Sequence, residues 1–386
     1  MSSLHLRDVT LTAPSGRRVL DGVDLDVPDG AAVAVIGPSA ESRTALLRTL
    51  VGLEWPDSGT VLIDDEDVTF ADPRTRDLAM VFADHALHPR RDVLDNVAFA
   101  ATLRRKHDKA GLADAVEDVL DQLALRDALD LKPDALGADQ QQRVAIGRAL
   151  VRGARAWLFD DPYSAQAERI RPHVRSVVQQ WQAQRERTSL FTTSVVAEAL
   201  SLVDQVAVLH QGRIRQVGEP RELYENPADM FVAGYLGSPP MNLLPAFREG
   251  QQLVTPLATV HLDDRLAAAV GDRPVVIAGI RPEHCRDATR GSVGVEGGVE
   301  FTTRVDDVEW RGSSQYAYLG FDLEPTLVAV LDEIEDMFEF DLFQDFLVVE
   351  VPPDQPLRSG MSIRVVVPHE RVVLFDPDTG MNLTHR

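Results

Sequence analysis

The stretch Val33–Leu53, "VAVIGPSAESRTALLRTLVGL", decides how the rest of the chain is read. An apolar run stops at Gly37, a short polar loop follows, and leucines at helical spacing begin directly after it. That is the layout of a phosphate-binding loop, in which backbone N–H groups at a helix N-terminus surround an anion. On the spacing GxxxxGK[ST], Gly37 takes the first position, Pro38 and Ser39 lie in the loop, Ser42 stands at the second glycine, Arg43 at the lysine and Thr44 at the magnesium-holding hydroxyl. Ala40 and Ser42 put side-chain carbons where glycine would let the backbone close on a ligand. Arg43 exchanges a compact ammonium for a bulky planar fork. Phosphate binding is therefore expected to be weakened, and an ordinary strand-to-helix turn stays open as the alternative.

Composition narrows the class of protein around this loop. The 386 residues include 61 acidic against 39 basic side chains, a formal net charge of -22, with 44% hydrophobic content. Such a balance argues against nucleic acid as a partner, because a phosphate backbone is held by cations. The single cysteine, Cys285, forms no internal disulfide, and "MSSLHLRDVTL" lacks the basic and apolar regions of a signal segment. A reducing cytoplasm is the expected compartment. No stretch reaches the roughly 20 apolar residues that span a bilayer, so a membrane role has to come through a partner.

Residues 1 to about 240 alternate apolar strand-like runs (Ala32–Ile36, Ala79–Phe82, Ala156–Phe159, Ser189–Thr192, Gln205–Leu209) with helical patterns. This alternation predicts an α/β domain with a parallel sheet covered on both faces. Asp108–Ala128 reads as part of a helical insertion, set at about 84–150. Past "GSPPMNLLP", Gly237–Pro245, short runs such as "VVIAGI", "FLVVEV" and "SIRVVV" are separated by glycine, proline and acidic turns. Residues 241–386 are accordingly expected to form a small all-β, barrel-like domain. Within it "LDEIEDMFEFDLFQD", Leu331–Asp345, mixes carboxylates with phenylalanines. An acidic solvated loop or helix is the favoured reading, and a docking surface is the sharper alternative.

A second motif is "RAWLFDDPYSAQA", Arg155–Ala167, in which an apolar run delivers Asp160 at its C-terminal end. A carboxylate there suits magnesium, and the next acid, Asp161, stands where a group polarising the attacking water belongs in phosphoryl transfer. Aspartate is one methylene shorter than glutamate, and a misplacement of about 1 Å costs on the order of a hundredfold in rate. Alone, "DD" after a strand also suits a turn and helix cap.

Together these segments resemble the ATP-binding subunits of ABC transporters, specifically those of sugar importers of the maltose type. "GPSAESRTALLRTLVGLEWPDSGTVLIDDEDV" resembles the Walker A region and "RDLAMVFADHALHPRRDVLDNVAF" the Q-loop region. "LGADQQQRVAIGRALVRGARAWLFDDPYS" resembles the signature helix and Walker B, and "TTSVVAEALSLVDQVAVLHQGRIRQVGEP" the H-loop region. "GIRPEH" and "HERVVLFDPDTG" resemble the C-terminal regulatory β domain of that subgroup. The resemblance implies a P-loop NTPase-like ABC ATPase domain followed by an OB-like domain, with ATP and Mg²⁺ as cofactors and Thr44 and Asp160 on the metal. It implies as partners membrane-spanning importer subunits, a second ATP-binding subunit in a homodimer or heterodimer and, indirectly, a solute-binding protein. The implied place is peripheral, on the inner face of the cell membrane.

The departures from the family's pattern fall where it keeps its chemistry. Besides Ser42 and Arg43, the Q-loop glutamine is Ala83, the Walker B glutamate Asp161, the D-loop aspartate Ala167 and the H-loop histidine Ser194. The signature reads Leu136, Gly137, Ala138, Asp139, Gln140, which puts a carboxylate where N–H donors face the γ-phosphate of the partner's site, and near the place of the family's adenine-stacking aromatic "TLTAPSG" offers Ala13 and no ring. Two like charges at ~5 Å and an effective dielectric of about 20 repel by roughly 3 kcal/mol. Asp161 and Ser194 are thus vestigial catalytic positions. Three functions follow: a non-hydrolytic pseudo-ATPase subunit acting as scaffold or brake, which is preferred; a working ATPase subunit driving carbohydrate import; and a soluble regulator detached from any transporter.

Overall fold

The computed structural model describes residues 2–102, 109–288 and 298–385. These form two compact units, Met1–Pro220 and Arg221–Arg386.

The first unit runs β1 (Leu4–Thr12), β2 (Arg18–Val27), β3 (Ala32–Ile36), α1 (Ala40–Val51), β4 (Ser58–Ile63), β5 (Glu66–Asp67), α2 (Pro73–Arg76) and β6 (Leu78–Val81). It continues through α3 (Val93–Thr102), α4 (Lys109–Gln122), α5 (Ala138–Val151), β7 (Ala156–Asp160), α6 (Arg171–Arg185), β8 (Thr188–Thr193), α7 (Val196–Leu202), β9 (Gln205–His210) and β10 (Arg213–Gly218). The strand order β10-β9-β3-β8-β7-β6 makes one sheet. Its five strands from β9 to β6 pair in parallel. β3, β7 and β8 are buried at every residue, as strands covered on both faces must be. A second, antiparallel sheet, β2-β1-β4-β5, shares a core with α1. The helices α3–α5 lie between β6 and β7 in the chain. Of the run Asp108–Ala128, α4 and a 3₁₀ turn at Arg126–Ala128 are formed, and Asp108 lies outside the described residues.

The second unit contains α8 (Pro220–Glu225, straddling the division), α9 (Met230–Tyr235), β11 (Asn242–Glu249), β12 (Gln252–Val254), β13 (Thr259–His261), α10 (Asp264–Val270) and β14 (Val275–Ile280). There follow β15 (Arg286–Asp287), β16 (Gly298–Arg304), β17 (Asp307–Trp310), β18 (Gln315–Gly320), α11 (Pro325–Phe338), β19 (Phe346–Val351), β20 (Ser362–Pro368) and β21 (Val373–Phe375). The strands form sheets ordered β13-β12-β11-β14-β21, β15-β20-β16 and β17-β18-β19 around one apolar core. The units divide at Pro220, earlier than the boundary at 240 read from the sequence. The reason is packing: Phe231 of α9 meets Phe340 edge-on at 5.1 Å, and the buried guanidinium of Arg281 donates to the carbonyls of Tyr224 and Ala233 at 2.9 Å each. Those two helices therefore belong with the β unit.

Candidate functional site

The loop read from the sequence sits where β3 leaves the sheet and α1 begins. Gly37 is required there because a Cβ would lie 2.0 Å from the backbone carbonyl oxygen of Leu209. Ser39 caps α1, its Oγ accepting from the Ser42 N–H at 3.2 Å. Pro38 is exposed, whereas Ser42 and Arg43 are buried. The Arg43 guanidinium turns back beneath the loop and donates from Nη1 to the Gly37 carbonyl, while its Nε finds no hydrogen-bond partner among the described residues. The lysine position of the frame is thus filled by a cation folded into its own loop.

Asp160 ends β7 with both oxygens engaged. Thr44 Oγ1 donates to one at 2.8 Å and Thr192 Oγ1 to the other at 2.9 Å. The sequence offered no reason to single out Thr192; it meets Asp160 because β7 and β8 pair in parallel with those two residues opposite each other. Asp161 follows at φ 44, its N–H bonded to the Thr192 carbonyl at 3.0 Å and its Oδ1 buried with no hydrogen-bond partner among the described residues. Burial raises the Asp161 pKa; the Arg43 and Arg171 guanidinium groups oppose the rise and the Asp160 charge adds to it. Ser194 is exposed just past the end of β8. Gly37, Ser39, Ser42, Arg43, Thr44, Asp160 and Asp161 are therefore one constellation at the C-terminal ends of parallel strands, where α/β sheets hold ligands.

These residues fit the two expected ligands unequally. Thr44 and Asp160 are a hydroxyl and a carboxylate already in contact, the oxygen donors magnesium takes. In the loop itself, Arg43 at the lysine position donates to the Gly37 carbonyl. Beside it Ala13 leaves a hollow of about 560 Å³ that Val19, Ala45, Arg48, Glu54 and Trp55 also line. Arg48 and Glu54 pair at 2.6 Å. Trp55, 63% exposed and edge-on to Phe70, is an aromatic in this hollow that reading the motifs alone overlooked.

The signature residues open α5. Leu136 is buried, Gly137 is the N-cap, Ala138 is exposed, and Gln140 Oε1 accepts from the Gly137 N–H at 3.1 Å. Asp139 does not stand as a lone carboxylate: Arg143, one turn on, donates to it at 3.0 Å and to the Leu123 and Ala124 carbonyls at 2.8 Å each. The repulsion anticipated from Asp139 is therefore reduced by a partner on its own helix.

Ala83 is exposed after β6, in a loop fastened by helix α5. Arg148 donates to the carbonyls of Ala86 and His85 at 2.7 and 3.1 Å, and Gln142 bonds the His85 ring. Asn96 secures the next turn, accepting from the His88 N–H at 2.8 Å and donating to the Arg91 carbonyl at 3.0 Å. This loop edges a hollow of about 600 Å³ lined by Leu53, Met80, Phe82, Phe99, Arg148 and Arg152, among others. No described helix is long and apolar enough to cross a membrane.

Comparison with known proteins agrees with this geometry. Residues 20–164 match the family model described as ABC transporter, and residues 237–285 match that described as MalK OB fold domain. The chain is 35% identical to the trehalose import ATP-binding protein SugC of Mycobacterium tuberculosis, over 100% of this chain and 99% of that one. It is 33% identical to the sn-glycerol-3-phosphate import ATP-binding protein UgpC of Cupriavidus metallidurans, over 99% of each chain. It is 34% identical to the diacetylchitobiose uptake system ATP-binding protein MsiK of Streptomyces coelicolor, over 96% of each. Among solved structures, the dimeric post-hydrolysis state of the ATP-binding cassette MJ0796 with ADP and Pi has a TM-score of 0.53 at 24% identity, covering 56% of this chain and 99% of that chain. That likeness bears on the fold.

Proposed function

The chain belongs to the ABC transporter family, an ABC cassette followed by a MalK-type OB fold domain, and from that premise we propose that it is the cassette subunit of a carbohydrate importer that hydrolyses ATP little or not at all. Arg43 carries this reading. Its side chain is buried in the loop that should hold phosphate and is hydrogen-bonded to the Gly37 carbonyl. Phosphoryl transfer draws nearly all its catalysis from positioning and electrostatics, and here the lysine, glutamine, glutamate and histidine positions hold Arg43, Ala83, Asp161 and Ser194. ATP·Mg binding is accordingly weak, with Thr44 and Asp160 as the residues that would hold the metal.

The role left to such a subunit is scaffold or brake, docked peripherally on membrane-spanning subunits and paired with a second cassette. The loop tied down by Arg148, Gln142 and Asn96 supports docking, since a chain freed from any transporter has no need of so many side chains fixing a surface loop. Steady-state ATPase measurement tests the proposal, first on this chain alone and then mixed with an intact cassette subunit encoded beside it, with and without Asp139→Gly. The expected result is no turnover by the chain alone and suppressed turnover in the mixture. Robust hydrolysis by the unmodified chain defeats the proposal. A mixed dimer working at a normal rate, with Asp139→Gly changing nothing, defeats the brake.

A further inference from the structure

The acidic segment of the second unit contains a helix with more apolar surface than its core contact uses. α11 buries Leu331, Ile334 and Phe338, spaced i, i+3 and i+7, yet leaves Val328 and Val330 38% and 47% exposed. With the turns on either side it encloses a hollow of about 380 Å³, where Val328, Leu331 and Phe343 provide apolar lining and Asp322, Asp332 and Asp345 provide carboxylates. All three carboxylates are on exposed residues. Glu335 also lines the hollow but is engaged elsewhere, its Oε1 accepting from the Leu342 and Phe343 N–H groups at 2.6 and 2.7 Å. From residue 312 to residue 357 the chain has no Lys, Arg or His.

We propose that this hollow docks a cationic amphipathic segment of a partner protein. An apolar side chain of that segment seats among Val328, Leu331 and Phe343, and its flanking Lys or Arg side chains pair with Asp322, Asp332 and Asp345. Charge complementarity selects this occupant. A second copy of a chain with net charge -22 would bring carboxylates toward carboxylates, and anionic lipid or nucleic acid is repelled in the same way. A merely solvated acidic face accounts for the aspartates but not for an exposed Val328 that lines a concave site beside them together with Leu331 and Phe343.

The test is fluorescence anisotropy on the full chain with a labelled 14-residue amphipathic helix of Leu and Lys, beside the same peptide with Glu for Lys. The Lys peptide is expected to bind and the Glu peptide not to. The triple variant Asp322→Asn, Asp332→Asn, Asp345→Asn should weaken binding about tenfold and flatten its salt dependence. Val328→Ser should weaken it severalfold with the salt dependence kept. A control triple on the first unit, Asp65→Asn, Glu66→Gln, Asp118→Asn, should change it less than about twofold, separating a site from bulk charge. Equal losses in the two triples, no binding of the Lys peptide, or a dimer in sedimentation velocity that Val328→Ser abolishes would each overturn the proposal.

Discussion

The proposal that Arg43 closes the phosphate loop makes a quantitative prediction for the double variant Ser42→Gly, Arg43→Lys. For a phosphate to enter, the Arg43 guanidinium has to leave the Gly37 carbonyl, and a hydrogen bond to a charged group is worth about 1.5–3 kcal/mol. At about 1.4 kcal/mol per decade this divides the population of open loops by roughly 10 to 150 and multiplies the apparent Kd by the same factor. Lysine removes that cost and supplies a point charge at the expected place, while glycine lets the backbone approach the anion at a helix cost of about 0.5–1 kcal/mol. ATP·Mg titrated calorimetrically into the double variant should therefore bind about 10- to 150-fold tighter than into the natural chain, whose Kd is expected above the micromolar range. Arg43→Ala separates the two effects: it opens the loop without supplying a cation, and should recover about tenfold if the blockage dominates. A Kd at or below about 1 μM for the natural chain would refute the reasoning, as would a folded double variant with unchanged affinity.

Gly37→Ala should destabilise the first unit by about 3 kcal/mol or more in urea unfolding, because the new methyl overlaps the Leu209 carbonyl at 2.0 Å. Arg143→Met should cost about 2–4 kcal/mol by the same measurement, leaving the Leu123 and Ala124 carbonyls and Asp139 without their shared donor. Asp161 has a pKa raised in the folded state, so its contribution to stability is fully present below the ordinary carboxylate range and is lost as pH rises through the folded pKa. Urea midpoints of Asp161→Asn should accordingly exceed those of the natural chain near pH 8 and converge with them as pH falls below that range.

Strand-loop-helix order was legible because apolar runs such as Ala32–Ile36 and Ala156–Phe159 are uninterrupted, and only strands buried on both faces need that pattern. The site was legible to the extent that it is local: Gly37 to Thr44 lie on one loop and its helix, so spacing alone grouped them. Thr192, Arg171 and Trp55 were not legible, since each comes from a separate segment and none belongs to a spaced motif. The division of the contacts at Pro220 was not legible for a similar reason. The composition shifts near Gly237, but where a domain ends is a matter of contacts, and Arg281 draws Tyr224 and Ala233 into the second unit across some fifty residues of chain.

The sequence by itself determined the parallel α/β domain, the β-rich domain after it, and which side chains stand at each position of the loops between them. Alanine has no side-chain donor or acceptor in any conformation, so that much follows from identity alone. Only the tertiary structure decided what the substituted residues do instead: Arg43 bends back onto Gly37, Asp139 pairs with Arg143, and Asp160 is held between Thr44 and Thr192. Long and charged side chains go where through-space partners compensate their burial, and those partners are set by strand order and helix packing.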